Sequence, residues 1–272
     1  VNVLQEIQNI AANKPLMGSN EDNATLPYLT SKPNTFPVYE WRAGSYIYNR
    51  MSYESDSVLN GFNDPRVGVW FKPTAVSVNN GNPKYKGFPV GTNFTTQDKL
   101  NFNENEVSTI GGYYRDYPDK ASAILMTYSE VQFLLAEAAT KGWISGGTDA
   151  AKNYYENGIK ASMDYYAVDM PMDYLQQEDV SINADNAMEC IMTQKWLASN
   201  MIGYEAWFDY LRTGLPDWKP LLDNSNPTAP GEIPSRYYYP ESEQALNQQN
   251  YNKAVAAQPN AEDDINTPLW WE

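Results

Sequence analysis

Histidine is absent from the 272-residue sequence, and cysteine occurs once, at Cys190. The first absence excludes Ser-His-Asp and Cys-His catalytic arrangements, His-ligated zinc and imidazole general bases. The second excludes an internal disulfide and any multi-cysteine metal site. Cys190 falls in a periodic apolar segment and reads as a packed core thiol. Positive charge is scarce: 19 Lys and Arg face 34 Asp and Glu, a net charge of −15 with a sequence pI near 4.4. Without a basic cluster, the chain has no footprint for the phosphates of nucleic acid, and anionic lipid is disfavoured as well. The acidity supplies solubility. No stretch approaches the roughly 18 apolar residues of a membrane span. A signal peptide is missing too: the chain starts at Val1 inside "VNVLQEIQNIAANKP" and reads as a piece of something longer.

Aromatic residues are plentiful. With 21 Tyr, 8 Trp and 8 Phe against 19% charged residues and a mean hydropathy of −0.60, rings carry much of the apolar character. Such residues suit a core of mixed polarity or a surface that stacks on ligands. Residues 1–13 predict a short helix with Val3, Leu4, Ile7, Ile10 and Ala11 on one side, stopped by Pro15. From 15 to about 120, Pro and Gly recur at short intervals and predict loops, short strands and helical turns. Val67, Val69 and Phe71 alternate as in a strand, and "YIYNRMSYESDSVLNGF" predicts one helix.

Helical spacing returns at 121. In "ASAILMTYSEVQFLLAEAATKGW", Ile124, Tyr128, Val131, Leu135 and Ala138 line one side, and Phe133 and Leu134 a second, so this helix predicts packing on two sides. Gly142 ends it, and Thr148 is the expected N-cap of the next, whose small residues at 158 and 162 admit a close neighbour. Together they form a hairpin the size of one tetratricopeptide unit, which cannot bury its own apolar face. A third helical region covers 183–216 with a break at Gly203. Beyond 216 the chain is again rich in Pro, Asn and Gln.

Several of these pieces, in this order, resemble the SusD/RagB family of Bacteroidetes outer-membrane nutrient-binding lipoproteins. They are "NDPRVGVWF", "YKGFPVG", "SEVQFLLAEAATKGW", "TQKWLASNMIGYEAWFDYLRTGLP", "IPSRYYYPESEQALNQQNYNKAV" and the closing "PLWWE". The resemblance covers nearly the whole chain but only the carboxy-terminal portion of a typical member. It implies a mainly α fold of tetratricopeptide-like hairpins with a large loop-rich, short-strand region. Residues 1–120 would be loop-rich and ligand-facing, 121–215 a helical scaffold and 216–272 an ordered irregular tail, neither helix nor strand, whose amides satisfy backbone groups. It further implies non-catalytic capture of an oligo- or polysaccharide at the cell surface and delivery to a SusC-like TonB-dependent transporter. The amino-terminal portion, including the lipid-bearing cysteine that anchors relatives to the outer membrane, would lie outside this chain. In the tail, Arg236, Tyr239, Pro240, Glu241, Asn247 and Asn250 fill the family's pattern.

Capture of sugar needs aromatic platforms for the apolar C–H faces and amides, carboxylates or guanidinium groups for the hydroxyls. Loops usually carry such groups. The candidates are Trp41, Trp70, Tyr85, Tyr113, Tyr114, Arg115 and Asp116, each weighed against plain core packing. Tyr113 and Tyr114 follow two glycines and adjoin two charges, which favours exposure there. Trp196, Tyr204 and Trp207, at helical spacing, read as packing, and Glu205, Asp209 and Arg212 as a solvated ion-pair ladder. No cofactor or metal is called for; a calcium site stays open in so acidic a chain, although no loop carries the patterned oxygen ligands of a known motif. Two other functions stay open: peptide uptake, which some relatives serve, and glycoside hydrolysis, for which two carboxylates suffice.

Overall fold

The computed structural model describes residues 2–40, 49–218, 226 and 229–269. Among these residues lie thirteen α-helices and one two-stranded sheet, the mainly helical fold that the sequence predicts. In chain order they are α1 (Val3–Asn13), β1 (Ala24–Pro27), α2 (Pro37–Glu40), α3 (Tyr53–Gly61), α4 (Val67–Trp70), α5 (Ala75–Asn79), α6 (Phe94–Lys99) and α7 (Gly112–Arg115). Then follow β2 (Ser122–Met126), α8 (Tyr128–Thr140), α9 (Gly147–Tyr165), α10 (Ala187–Ala198), α11 (Glu205–Thr213), α12 (Glu241–Leu246) and α13 (Gln248–Ala256).

The chain forms two compact units. One holds Val1–Phe88, Asn103–Tyr210 and Gly214–Asp217; the other holds Pro89–Phe102, Leu211–Thr213 and Trp218–Glu272.

The larger unit is built on the α8–α9 hairpin, with α10 packed across α8. Ser129, Val131, Phe133, Ala136 and Ala139 of α8 are buried, as its two apolar flanks require. At Gly158 of α9, a Cβ would sit 2.8 Å from the Phe133 ring, so glycine sets the closeness of the pair, and Ser129 Oγ donates to the Gly158 carbonyl at 2.7 Å. The stem of the hairpin buries Ala138, Ala139, Ile144 and Ala151, and α1 leans on that cluster through Ile7 and Ala11 while Val3, Leu4 and Ile10 stay exposed.

A buried polar knot ties the loop-rich part to this scaffold. Arg66 is fully buried and donates to Asp64 (2.9 and 2.6 Å), Ser162 of α9 (2.8 Å), Tyr174 (3.4 Å) and Gln194 of α10 (3.0 Å). Tyr174 donates in turn to Asp64 at 2.6 Å. Burial pushes the Asp64 carboxyl up, but Arg66 and these hydrogen bonds outweigh it and hold the group below the usual carboxylate range.

Four expectations are corrected. The alternating segment at Val67 is the helical turn α4, because the Asp64 carboxylate takes the Arg66 N–H at 3.0 Å and Val67 N–H bonds the Asp64 carbonyl, a side-chain-started turn that overrides alternation. Residues 122–126 are not the first turns of α8 but β2, antiparallel to β1 with Thr25 opposite Ile124. Thr127 starts α8 instead, its Oγ1 accepting the Glu130 N–H at 3.1 Å. Thr148 is not the cap of α9: the left-handed Gly146 (φ 107°) holds that position. The tail is not free of helix, since "ESEQAL" and "QQNYNKAVA" form α12 and α13.

In the smaller unit, the tail is fixed by Arg236. Its Nη2 donates to Asp263 at 2.9 Å, its guanidinium covers the Tyr239 ring at 4.6 Å, and the Tyr239 N–H donates to the Asp263 carboxylate at 3.1 Å. The Asn247 and Asn250 amides act locally, on Glu243 (2.8 Å) and Asn247 (2.7 Å).

Candidate functional site

The candidate ring platforms lie on α4, α7 and the loop before Gly87, which pack together in the larger unit: Gly111 N–H donates to the Trp70 carbonyl at 2.7 Å, and Phe71 bridges Ile110. The rings turn mostly inward. Trp70 is 2% exposed and Tyr114 3%, so neither offers an open face, contrary to the exposure that the two preceding glycines suggest for Tyr114. The cause is Gly111, whose backbone presses so closely on the α4 turn that any Cβ would collide with the Val69 carbonyl. These glycines let the tyrosines in rather than pushing them out.

Tyr114 is fastened by its hydroxyl, 3.1 Å from that of Tyr166, and Asn200 Nδ2 donates to it at 2.9 Å. Burial pushes the Tyr166 hydroxyl up to about 12. Tyr113 is half-buried, edge-on to Tyr114 and Tyr166 at 5.0 and 5.6 Å. Arg115 pairs with Asp116, which also takes Lys72 at 3.4 Å. Tyr85 is half-buried, with its hydroxyl beside Gly68. Trp41 lies outside the described residues.

One open aromatic strip lies elsewhere, at α11, and includes Tyr204 and Trp207, which their spacing assigns to packing. No residue of α11 is buried. Tyr204, just before it, is 55% exposed and Phe208 41%. Trp207 stacks on Phe208 with ring centres 5.6 Å apart and meets the edge of Tyr204 at 6.0 Å. Helical spacing places these three rings together but does not say whether a neighbour covers them, which is why the stripe passed for core. Beside this strip, α3, α4, α10 and the first turn of α11 enclose a recess of about 200 Å³, lined by Trp70, Trp196, Asn200 and Met201 among others. Met201, at its rim, is left-handed (φ 63°), a conformation that costs a non-glycine residue about 1–2 kcal/mol.

Asp209 of the expected ladder takes Lys195 of α10 at 2.6 Å, in a nearly dry contact. Burial raises the Glu130 carboxyl; Lys195 offsets part of that shift, and Glu205 and Asp209 add to it. Cys190 is buried, as its spacing predicts, and burial with the nearby Glu189 and Asp179 lifts its thiol to about 11, well away from thiolate reactivity. No group of three or more acidic or sulfur ligands suited to a metal occurs among the described residues.

This mainly helical frame, with its hairpin, recess and clamped tail, can be set beside known proteins. Residues 1–240 match the SusD-like family described as "starch-binding associating with outer membrane", and the chain belongs to that family. It is similar to a solved SusD homologue of Bacteroides fragilis NCTC 9343, at 27% identity over 98% of this chain with a TM-score of 0.85. A second homologue from that strain matches at 29% identity over 100% of this chain, TM-score 0.79. A chitin-binding SusD homologue from Flavobacterium johnsoniae matches at 27% over 98%, TM-score 0.78. No curated protein gives a significant match. The chain spans 61%, 61% and 58% of the length of these three solved relatives. No described helix is long and apolar enough to cross a membrane.

Proposed function

We propose that this chain captures glycan at the bacterial cell surface without changing it, and that the whole protein, lipid-anchored at the outer membrane, passes the glycan to a SusC-like TonB-dependent transporter. The portion of the relatives' length outside this chain would supply the anchor. The observation that carries capture is the ring strip of Tyr204, Trp207 and Phe208, in which Tyr204 and Phe208 are exposed and Trp207 is half-buried. Rings in mutual contact with exposed parts form an apolar platform of the kind that sugar C–H faces cover. The chitin-binding relative supports the ligand class. The open parts of Tyr85 and Tyr113, with Arg115 and Asp116, offer further hydroxyl readers in the same unit, while Trp70 and Tyr114 act from within.

Hydrolysis is favoured by one observation only, the raised carboxyl of Glu130 near Glu205 and Asp209. One experiment separates the readings: affinity electrophoresis through gels containing a panel of polysaccharides, followed by a reducing-end assay. Capture gives retarded migration on at least one polysaccharide with no new reducing ends. New ends that disappear in Glu130→Gln would replace capture by hydrolysis. Retention on none of the panel, with binding to a peptide library, would move the platform to peptide uptake.

A further inference from the structure

We infer that the recess beside α11 is a receptor for the terminal ring of a neutral glycan chain, an inference that rests on the capture reading above. Four features point to it. The first is size: about 200 Å³ is smaller than the roughly 300–1,000 Å³ of pockets that hold drug-sized ligands, and leaves room for one sugar ring but not several.

The second is shape. Leu59 and Trp70, 1% and 2% exposed, close the recess below, while Met201 stands exposed. A seat of one ring's size with a closed floor takes a chain end, which can turn into it, more readily than an internal ring, which must lie across it. The third is chemistry. Trp196 supplies an indole wall, and the described polar groups are neutral. Asn200 spends its amide N–H on Tyr114, which leaves its carbonyl oxygen, like the Ser199 hydroxyl, without a hydrogen-bond partner among the described residues. An unpaired polar atom on the wall of a recess is a place for a ligand or water to bond, whereas the buried Trp70 indole N–H is turned to the Tyr166 hydroxyl.

The fourth is charge. No ionisable side chain among the described residues lines the recess, and the chain carries −15 overall, so a uronic or sialic acid would meet no described counter-charge there and would be repelled. The ring that fits is a neutral pyranose, presenting a face to an indole and hydroxyls to the Asn200 carbonyl and Ser199. The remainder of the glycan would then leave the rim past Met201.

Calorimetric titration with D-glucose, N-acetylglucosamine, D-galactose, D-mannose and D-xylose, and with D-glucuronic acid as the charged comparison, tests this directly. At least one neutral sugar is expected to bind, and glucuronic acid is not. Ala206→Phe, which fills the recess from α11, should abolish that binding, and Ser199→Ala should weaken it at least threefold with the melting temperature unchanged, which keeps the test valid if the larger variant fails to fold. Partial digestion of a retained polysaccharide, raising its chain ends tenfold at constant mass, should increase bound protein several-fold in the wild type and not in Ala206→Phe. No binding of any neutral monosaccharide overturns the receptor. So does polysaccharide retention that ignores both the number of ends and the filled recess, and that outcome leaves capture intact. Failure of the wild type on every polysaccharide would instead overturn capture itself.

Discussion

Arg66 serves four acceptors from a site with no solvent contact, so replacing it strands Asp64 as an unpaired buried carboxylate. Breaking such a pair typically costs about 3–5 kcal/mol. Arg66→Ala should lose stability of that order in urea unfolding. Arg66→Lys should recover little, because one ammonium cannot reproduce the planar fork. The pH dependence has a definite sign. Asp64 binds its proton less readily when folded, so its contribution is present above the ordinary carboxylate value of 3.8 and is lost as pH falls through the lower folded value. The acid limb of the stability curve should therefore be shallower in Asp64→Asn. On the surface the outcome is opposite in kind: Tyr204→Ser with Phe208→Ser should reduce glycan retention severalfold while shifting the melting temperature by no more than about 2 °C, since exposed substitutions usually stay within about 0.5 kcal/mol.

Among the elements, α8 and α9 hold the scaffold together, and both ends of their contact can be probed. Thr127→Ala removes the cap of α8 and should cost about 1 kcal/mol. Gly158→Ala should cost about 1–3 kcal/mol by driving a methyl into Phe133, and Phe133→Leu in the same chain should recover part of it, which a double-mutant cycle measures. Glu130, whose folded carboxyl is raised by burial, destabilises the fold as pH rises above its ordinary 4.5, so Glu130→Gln should stabilise at pH 7 and be neutral at pH 4. The long helices were legible in sequence because α8 and α9 carry apolar residues at helical spacing, and the left-handed Gly142 (φ 68°) closes α8. β2 was not: "SAILM" is apolar without alternation, so only its pairing with β1, about 100 residues earlier, decides between strand and helix. Likewise "RVGVWF" alternates as a strand does, and a carboxylate three residues before the first valine settles the matter.

For the whole molecule, the order of motifs sufficed to place the chain in its family, because ordered pieces spread over 240 residues are a far richer signal than any one spacing. The binding surface was much less legible. Whether an aromatic ring is platform or core depends on what covers it, a property of packing that Trp70, Tyr114, Tyr204 and Phe208 all show in one direction or the other. The absence of histidine is legible and consequential: no unperturbed side chain titrates between pH 6 and 8. Glycan affinity, measured by calorimetry, should be flat across that range, and a change of more than about threefold would point to a perturbed carboxylate at the binding surface.

The polar knot has a further consequence for synthesis. The guanidinium and its counter-charge lie 2 residues apart and leave the ribosome together, whereas Ser162 follows 96 residues later and Gln194 128 residues later. A half-made chain thus already carries a neutralised pair, held in a local turn, long before the scaffold that will close over it has been translated.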